Sequence, residues 1–311
     1  MILPKSLSGL SLADIFEPAL PTPPPGPPPF CSPDPVHAGD VPEAFLGEPA
    51  WTLVERLFPD LGQDGAMGLI DFGALWFDDR LSPDPLATIC AKRFRLNLPA
   101  YGPRIYYQAD PERLIVSGPD VLVYDKEAGP PTVPVPHDRM NNVIAALERL
   151  TGHTLRAPHR LDAPTSGLVI AAASREAASR LGQAFQRGDV KKRYLALAGG
   201  PRPPFDHTVA DAVISKVDGR YRADVSGPGY PSLTRLSVLG EYGDKVLFLA
   251  EPLTGRTHQI RLHMAHLGYP IVGDPLYGGE PAPRLMLRAS GLSFGHPVTG
   301  KTITLGGPWP D

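Results

Sequence analysis

Cysteine is nearly absent from this 311-residue chain. Cys31 and Cys90 lie too far apart for a CxxC metal or redox pair, so they read as two reduced thiols and exclude a disulfide framework. Long apolar runs are missing too. No window approaches the roughly 18 residues that a membrane helix needs. The opening MILPKSLSGLSLADIF has no basic start, long apolar centre or small-residue cleavage site, which points to an unexported, cytoplasmic protein. The patterns GxxxxGK[ST] and post-strand GxGxxG do not occur, nor does HExxH, so P-loop, dinucleotide-binding and HExxH zinc enzymes are set aside. His258, His263 and His266 are close in sequence but lack a companion carboxylate on the expected helical face, and His258 reads as a structural hydrogen-bonding group.

Excess positive charge is also lacking, with 30 Lys and Arg against 33 Asp and Glu for a net charge of -3. That average argues against a nucleic-acid partner, but it hides an asymmetry. Residues 1 to 50 hold one basic residue, Lys5, against six acidic ones, which leaves +2 for the remainder. From Arg156 to Arg193, eight Arg and Lys oppose only Asp162, Glu176 and Asp189. A charge run of this kind usually marks a solvated face, and it becomes a candidate phosphate-binding surface only when aromatic and catalytic groups accompany it.

What is plentiful is proline, 39 residues in all. The stretch PALPTPPPGPPPFCSPDPVHAGDVP suits polyproline II rather than helix or sheet. Residues 1 to 48 are therefore expected to be an extended or disordered arm contributing little core. Residues 49 to 115 are expected to form a small N-terminal unit, with WTLVERLF as a helix, GLIDFGALWFDD as a strand pattern closing a hairpin near Asp78 and Asp79, and RIYYQAD as a strand. Residues 116 to 311 carry denser signals. VLVYDK, SGLVIAAA, RYLALAGG and TITLG read as strands, and SLTRLSVLGEYGDKVLFLAEP as a hairpin with its tip at Gly243 and Asp244. MNNVIAALERL and TGRTHQIRLHMAHLG read as helices, and a third is expected between an N-cap at Ser174 and a C-cap at Gly188. Strands and helices interleave without regular alternation, which predicts an α+β domain with a mixed, mostly antiparallel sheet flanked by helices.

Three segments carry candidate chemistry. HRLDAPTSGL, His159 to Leu168, sets Asp162 beside Arg160, with Thr165, Ser166 and Gly167 able to shape a tight turn. Taken alone, such an aspartate is an ordinary loop or ion-pair residue. RTHQIRLHMAHLGYPIVGDPLYG is crowded with polar groups among the core-like Ile260, Leu262, Met264 and Leu267, so those groups need partners. KKRYLAL places Tyr194 in a strand directly after Lys191, Lys192 and Arg193, the interleaving of charge and aromatic surface that can stack a base.

Together HRLDAPTSG, the Lys and Tyr of KKRYLAL, GRTHQIRLH with GYPIVGDPLYG, and PRLMLRASGLSF resemble, in order and spacing, the catalytic domain of the RluA-like pseudouridine synthases. The resemblance runs from Pro119 to the end of the chain. It implies the pseudouridine synthase catalytic fold and an RNA-modifying isomerase that converts uridine to pseudouridine in structured ribosomal or transfer RNA. Asp162 would be the catalytic carboxylate, by sugar attack, ring attack or elimination. Arg261 would pair with it, keeping it anionic and oriented, and Tyr194 would stack on the uracil. Arg160 would fill the gap left by the flipped nucleotide. Leu287, or Leu285 if the match is shifted by two, would pack on the other side of the base. His159, Thr165, Lys192 and Arg256 complete the implied substrate-binding set. The resemblance implies no cofactor, no metal, no obligate protein partner, no membrane and a monomer. The chain departs from the family where Lys126 is followed by Glu127, Ala128 and Gly129 instead of Pro-Ala-Gly, a change not expected to affect chemistry. Residues 49 to 115 stand where many relatives carry a small RNA-binding domain, although Asp71, Asp78 and Asp79 are a poor fit to that role.

Overall fold

The computed structural model describes residues 11–16, 37–71, 74–78, 80–82, 84–96, 107–135, 140–224 and 226–306. The helices are α1 Leu12–Ile15, α2 Ala50–Leu57, α3 Gly62–Asp71, α4 Val143–Thr151, α5 Arg175–Arg187 and α6 Gln259–His266. The first strands are β1 His37–Asp40, β2 Leu75–Phe77, β3 Arg80–Leu81, β4 Arg93–Leu96, β5 Leu114–Ser117, β6 Val121–Lys126 and β7 Ser166–Ala172. They are followed by β8 Lys191–Gly199, β9 His207–Val217, β10 Arg220–Asp224, β11 Tyr230–Tyr242, β12 Lys245–Pro252, β13 Leu287–Gly295 and β14 Thr302–Gly306.

The chain divides into two units: Thr22–Ala109 with Val133–Gly152, and Met1–Pro21 with Asp110–Thr132 and His153–Asp311. In the first, β1-β4-β2-β3 form an antiparallel sheet. Leu53, Val54, Leu69, Ile70, Leu75, Ile89 and Leu96 form its core. α2 lies where the sequence places it. GLIDFGALWFDD is divided differently from the expectation: Gly68 to Asp71 end helix α3, and only Leu75 onward is strand. The reason is tertiary, since Ala66, Leu69 and Ile70 share one helical face and are buried, and that burial outweighs the poor helix propensity of the glycines. The MNNVIAALERL helix was expected within 116 to 311 but groups with this unit. Arg149 donates to the carbonyl of Tyr107 at 2.6 Å, and the Asn141 side chain accepts from the Tyr107 amide at 2.7 Å. RIYYQAD lies partly outside the described residues, and its described part, 107 to 110, is not strand.

The second unit is built on one sheet in the order β10-β9-β11-β12-β8-β13-β7-β6-β5, with β14 on β13. Every pairing is antiparallel except β13 with β7, the mixed, mostly antiparallel α+β arrangement expected. β6 and β7 are buried at every position and read as continuous apolar runs because both faces are covered. α5 is capped as its sequence demands. The Ser174 side chain accepts from the Ala177 amide, and Gly188 takes the left-handed conformation at φ 80°. β11 and β12 meet at the expected Gly243-Asp244 turn. Gly167 starts β7 at φ 108° against the Ala289 backbone of β13, where any Cβ would collide, which explains the glycine of the TSG turn.

The arm departs from the expected extended state in both of its described pieces. β1 pairs with β4. α1 buries Ile15 and Phe16 among Leu195, Leu197, Leu247, Leu249 and Val272 on one face of the large sheet. The proline content of the stretch between them does not extend to LADIF, whose apolar residues find a hydrophobic surface. Residues 17–36, the proline-rich stretch itself, lie outside the described residues.

Candidate active site

HRLDAPTS occupies the loop leading into β7, and its backbone is held from both sides. The Thr132 hydroxyl donates to the Leu161 carbonyl at 2.9 Å and accepts from the Leu161 amide at 3.0 Å. Lys126, fully buried at the end of β6, donates to the carbonyls of Glu127, Pro130 and Ala163 at 2.7, 2.9 and 2.9 Å. Burial pushes its ammonium down to about 7, opposed by the charges of Glu127 and Asp162. All three acceptors are main-chain carbonyls. The residues after Lys126 can therefore change identity while the clamp on the Asp162 loop persists. The Thr165 amide closes the turn onto the Asp162 carbonyl at 3.0 Å.

Asp162 projects into a cavity of about 500 Å³. One oxygen, Oδ2, lies 3.7 Å from Arg261 Nη1 and 3.8 Å from His258 Nε2. Arg261 is fixed from behind by Asp274, whose two oxygens accept from Nε and Nη2 at 2.7 Å each. Both partners are buried, so this is a bidentate, charge-assisted pair that fixes the guanidinium plane and leaves Nη1 facing the catalytic loop. Tyr277 lies against the other side of the same group, its ring centroid 5.1 Å from Arg261 Cζ and its hydroxyl 2.7 Å from His258 Nδ1.

α6 is shorter than the sequence suggests, because His258 sits in the left-handed region at φ 57° and Thr254 to His258 form a turn. Gln259 organises that turn. Its Oε1 accepts from the Thr254 hydroxyl at 2.7 Å and the Arg256 amide at 3.0 Å, while Nε2 donates to the Leu233 carbonyl and Thr234 hydroxyl. Thr234 in turn lies 2.9 Å from His263 Nδ1, and Ser232, which donates to the Ala212 carbonyl, lies 2.8 Å from His263 Nε2. This chain has one consistent polarity: Gln259 to Thr234, Thr234 to Nδ1, Nε2–H to Ser232, Ser232 to the carbonyl. Burial accordingly pushes the His263 imidazole down to about 4. Its role is to tie α6 to β11, and it is far from the reach of a metal cluster with His258.

The nine residues singled out from sequence, Asp162, Arg261, Tyr194, Arg160, His159, Thr165, Leu287, Lys192 and Arg256, all line this one cavity. Tyr194 stands on β8, and burial, with the Asp162 charge adding to it, pushes its phenol up, so it stays protonated. His159 stacks on Phe185 at 4.3 Å and accepts from the Ile170 amide through Nε2. Burial, with the Lys192 charge adding to it, pushes its imidazole down to about 3. Lys192 donates to the Thr254 carbonyl at 2.9 Å, and burial pushes it down to about 8. Arg160 and Arg256 are exposed at the rim. Leu287 lines the cavity from β13, whereas Leu285 is buried in the core beneath α6, which favours the unshifted match. Asp274, Tyr277, Lys126 and Thr132 were not identified as site residues from the sequence. A buried arginine requires an anionic partner, and GDPLYG holds a carboxylate thirteen residues after Arg261, so Asp274 was the one open to inference.

The family model described as RNA pseudouridylate synthase matches residues 120–266. The chain is 38% identical over 156 residues to the "Dual-specificity RNA pseudouridine synthase RluA" of Pasteurella multocida, covering 48% of this chain and 71% of that protein. It is 29% identical over 293 residues to the "Ribosomal large subunit pseudouridine synthase D" of Neisseria meningitidis, covering 87% and 78%. An uncharacterised RNA pseudouridine synthase of Chloroflexus aurantiacus is 38% identical over 60% of this chain, and the match spans 62% of that relative, under two thirds of its length. Among solved structures, "Human RNA Pseudouridylate Synthase Domain Containing 1" superposes with a TM-score of 0.54 at 30% identity, covering 63% of this chain and 83% of that one. With the shared motifs, the mixed sheet and these relatives agreeing, the chain belongs to the RluA-like family of RNA pseudouridine synthases.

Proposed function

We propose that this protein isomerises uridine to pseudouridine in a structured ribosomal or transfer RNA, with Asp162 as the catalytic carboxylate. The observation that carries the reading is the convergence of three distant segments on one cavity, with Asp162 placed 3.7 Å from an arginine that Asp274 immobilises. The reaction breaks the bond between C1′ and N1 and forms one between C1′ and C5, and the C5 proton is lost as N1 gains one. It is redox-neutral and needs no co-reactant. A carboxylate held beside a fixed guanidinium can act on the sugar or the ring, or assist elimination, and all three routes use Asp162 in the same place. Preorganised charge of this kind costs no rearrangement during the reaction. The neutral Tyr194 phenol offers a face for the uracil, with Leu287 opposite as the apolar contact. Arg160, exposed beside Asp162, is placed to occupy the space that the flipped nucleotide vacates. The purified protein should introduce pseudouridine into unmodified ribosomal or transfer RNA, read by pseudouridine-specific chemical labelling and sequencing. Absence of any new modification across both RNA classes would overturn the proposal.

A further inference from the structure

Next to the catalytic cavity lies an aromatic and basic surface that the proposed mechanism does not use. Tyr230 opens β11 and is 66% exposed. Side chains alternate along a strand, so Tyr230 shares a face with Ser232 and Thr234, which are buried beneath α6 and bonded to His263 and Gln259. Tyr230 therefore stands on the active-site face of the sheet, just beyond the cover of the helix. The Arg256 guanidinium, which lines the cavity, lies over the Tyr230 ring with Cζ 5.2 Å from its centroid, and its Nε donates to the Pro231 carbonyl at 3.4 Å. One ring face is thus occupied by a cation and the exposure leaves the other open.

The same face continues across β9 and β10. Tyr230 pairs with Ile214 on β9, and two residues further along β9 Lys216 pairs with Tyr221 of β10, its ammonium 5.4 Å from the Tyr221 ring. Tyr221 in turn meets the His258 ring edge-on at 5.5 Å. The surface is rigid at its centre. The Leu233 amide donates to the Thr254 hydroxyl at 3.1 Å and the Leu253 amide to the Leu233 carbonyl at 2.9 Å, so the loop bearing Arg256 is stitched to the strand bearing Tyr230. A tyrosine left in water with a guanidinium on one face adds nothing to the core. Its chemistry suits a nucleobase on the free face, with the adjacent cations suiting phosphate.

We propose that Tyr230 and Arg256 form a second RNA subsite, which stacks one unpaired base flanking the target uridine. This rests on the functional reading above. The test uses an RNA stem-loop that the wild-type protein modifies, together with Tyr230→Ala and Tyr230→Trp. With base stacking worth roughly 1 to 3 kcal/mol, Tyr230→Ala should raise KM about 10-fold with kcat within about twofold, and Tyr230→Trp should keep the wild-type KM. Removing the base of one neighbouring nucleotide, tested on the 5′ and 3′ sides separately, should cost the wild type a similar factor on one side and cost Tyr230→Ala nothing further. A KM for Tyr230→Ala within twofold of wild type would overturn the proposal, as would losses from the variant and the abasic RNA that multiply. Inactivity of the wild type on every RNA would instead overturn the functional reading itself.

Discussion

Asp274→Asn isolates the device on which the geometry of the site depends. Arg261 Nε and Nη2 each donate to an Asp274 oxygen at 2.7 Å, and the Leu276 amide donates to Oδ1 at 3.0 Å. Asparagine would keep its oxygen where two donors converge, at Oδ1, and so turn its amide NH₂ toward Arg261 Nε–H, donor against donor. The variant loses one charge-assisted hydrogen bond worth about 1.5 to 3 kcal/mol and leaves a buried guanidinium without its counter-charge, so a destabilisation of about 3 kcal/mol is expected. At about 2 to 4 °C per kcal/mol for a unit of this size, the melting temperature should fall by roughly 6 to 12 °C. Arg261 would then be free to tilt, and a displacement of about 1 Å at its Nη1 should lower single-turnover kcat about 100-fold, or ~2.7 kcal/mol. RNA affinity should change little. Scanning calorimetry and tritium release from RNA labelled at uracil C5 measure the two effects. A variant with the expected loss of stability but a rate within threefold of wild type would refute the claim that Asp274 acts through Arg261 on Asp162.

Ile15→Ala removes a fully buried side chain from the surface shared with Leu195 and Leu247; calorimetry should register a loss of about 2 to 4 kcal/mol, and an unchanged melting temperature would mean that α1 does not dock. Lys126→Met removes three hydrogen bonds to carbonyls, one of them to Ala163 beside the catalytic aspartate, and should lower kcat at least about 10-fold with KM nearly constant; a change confined to KM would contradict that positioning role. The unfolded chain binds a proton at His263 near pH 6.5, but the folded state does so only near 4. Its contribution of about 3 kcal/mol is therefore complete above pH 6.5 and lost as pH falls to 4. Urea melts over that range should show a shallower pH slope for His263→Gln than for wild type, and equal slopes would refute the buried neutral assignment.

The chemistry was legible because its carriers sit in contiguous motifs. HRLD and TSG lie in one loop, and GRTHQIR supplies both the turn at His258 and the buried Arg261, so local spacing already groups the reacting set. Capping was legible for the same reason, since Ser174 and Gly188 act on their own helix. What stayed hidden depends on partners far along the chain. Thr132 meets Leu161, Lys126 meets Ala163, and Gln259 meets Leu233 only after the sheet has formed. α3 was misread because glycines suggest turns, whereas burial of Ala66, Leu69 and Ile70 decides the segment. α1 was missed because five residues beside a proline tract carry too little periodicity to register, yet two of them fill a space in the core.

The most direct measurement is pseudouridine formation by Asp162→Asn on an RNA that the wild type modifies. The side chain is partly exposed, at 27%, and asparagine is isosteric, so the fold and RNA affinity should persist. Turnover should fall at least about 10⁴-fold, the scale on which loss of an essential catalytic group is felt. Turnover above about one per cent of wild type, at equal RNA occupancy, would contradict the assignment of Asp162 as the catalytic carboxylate.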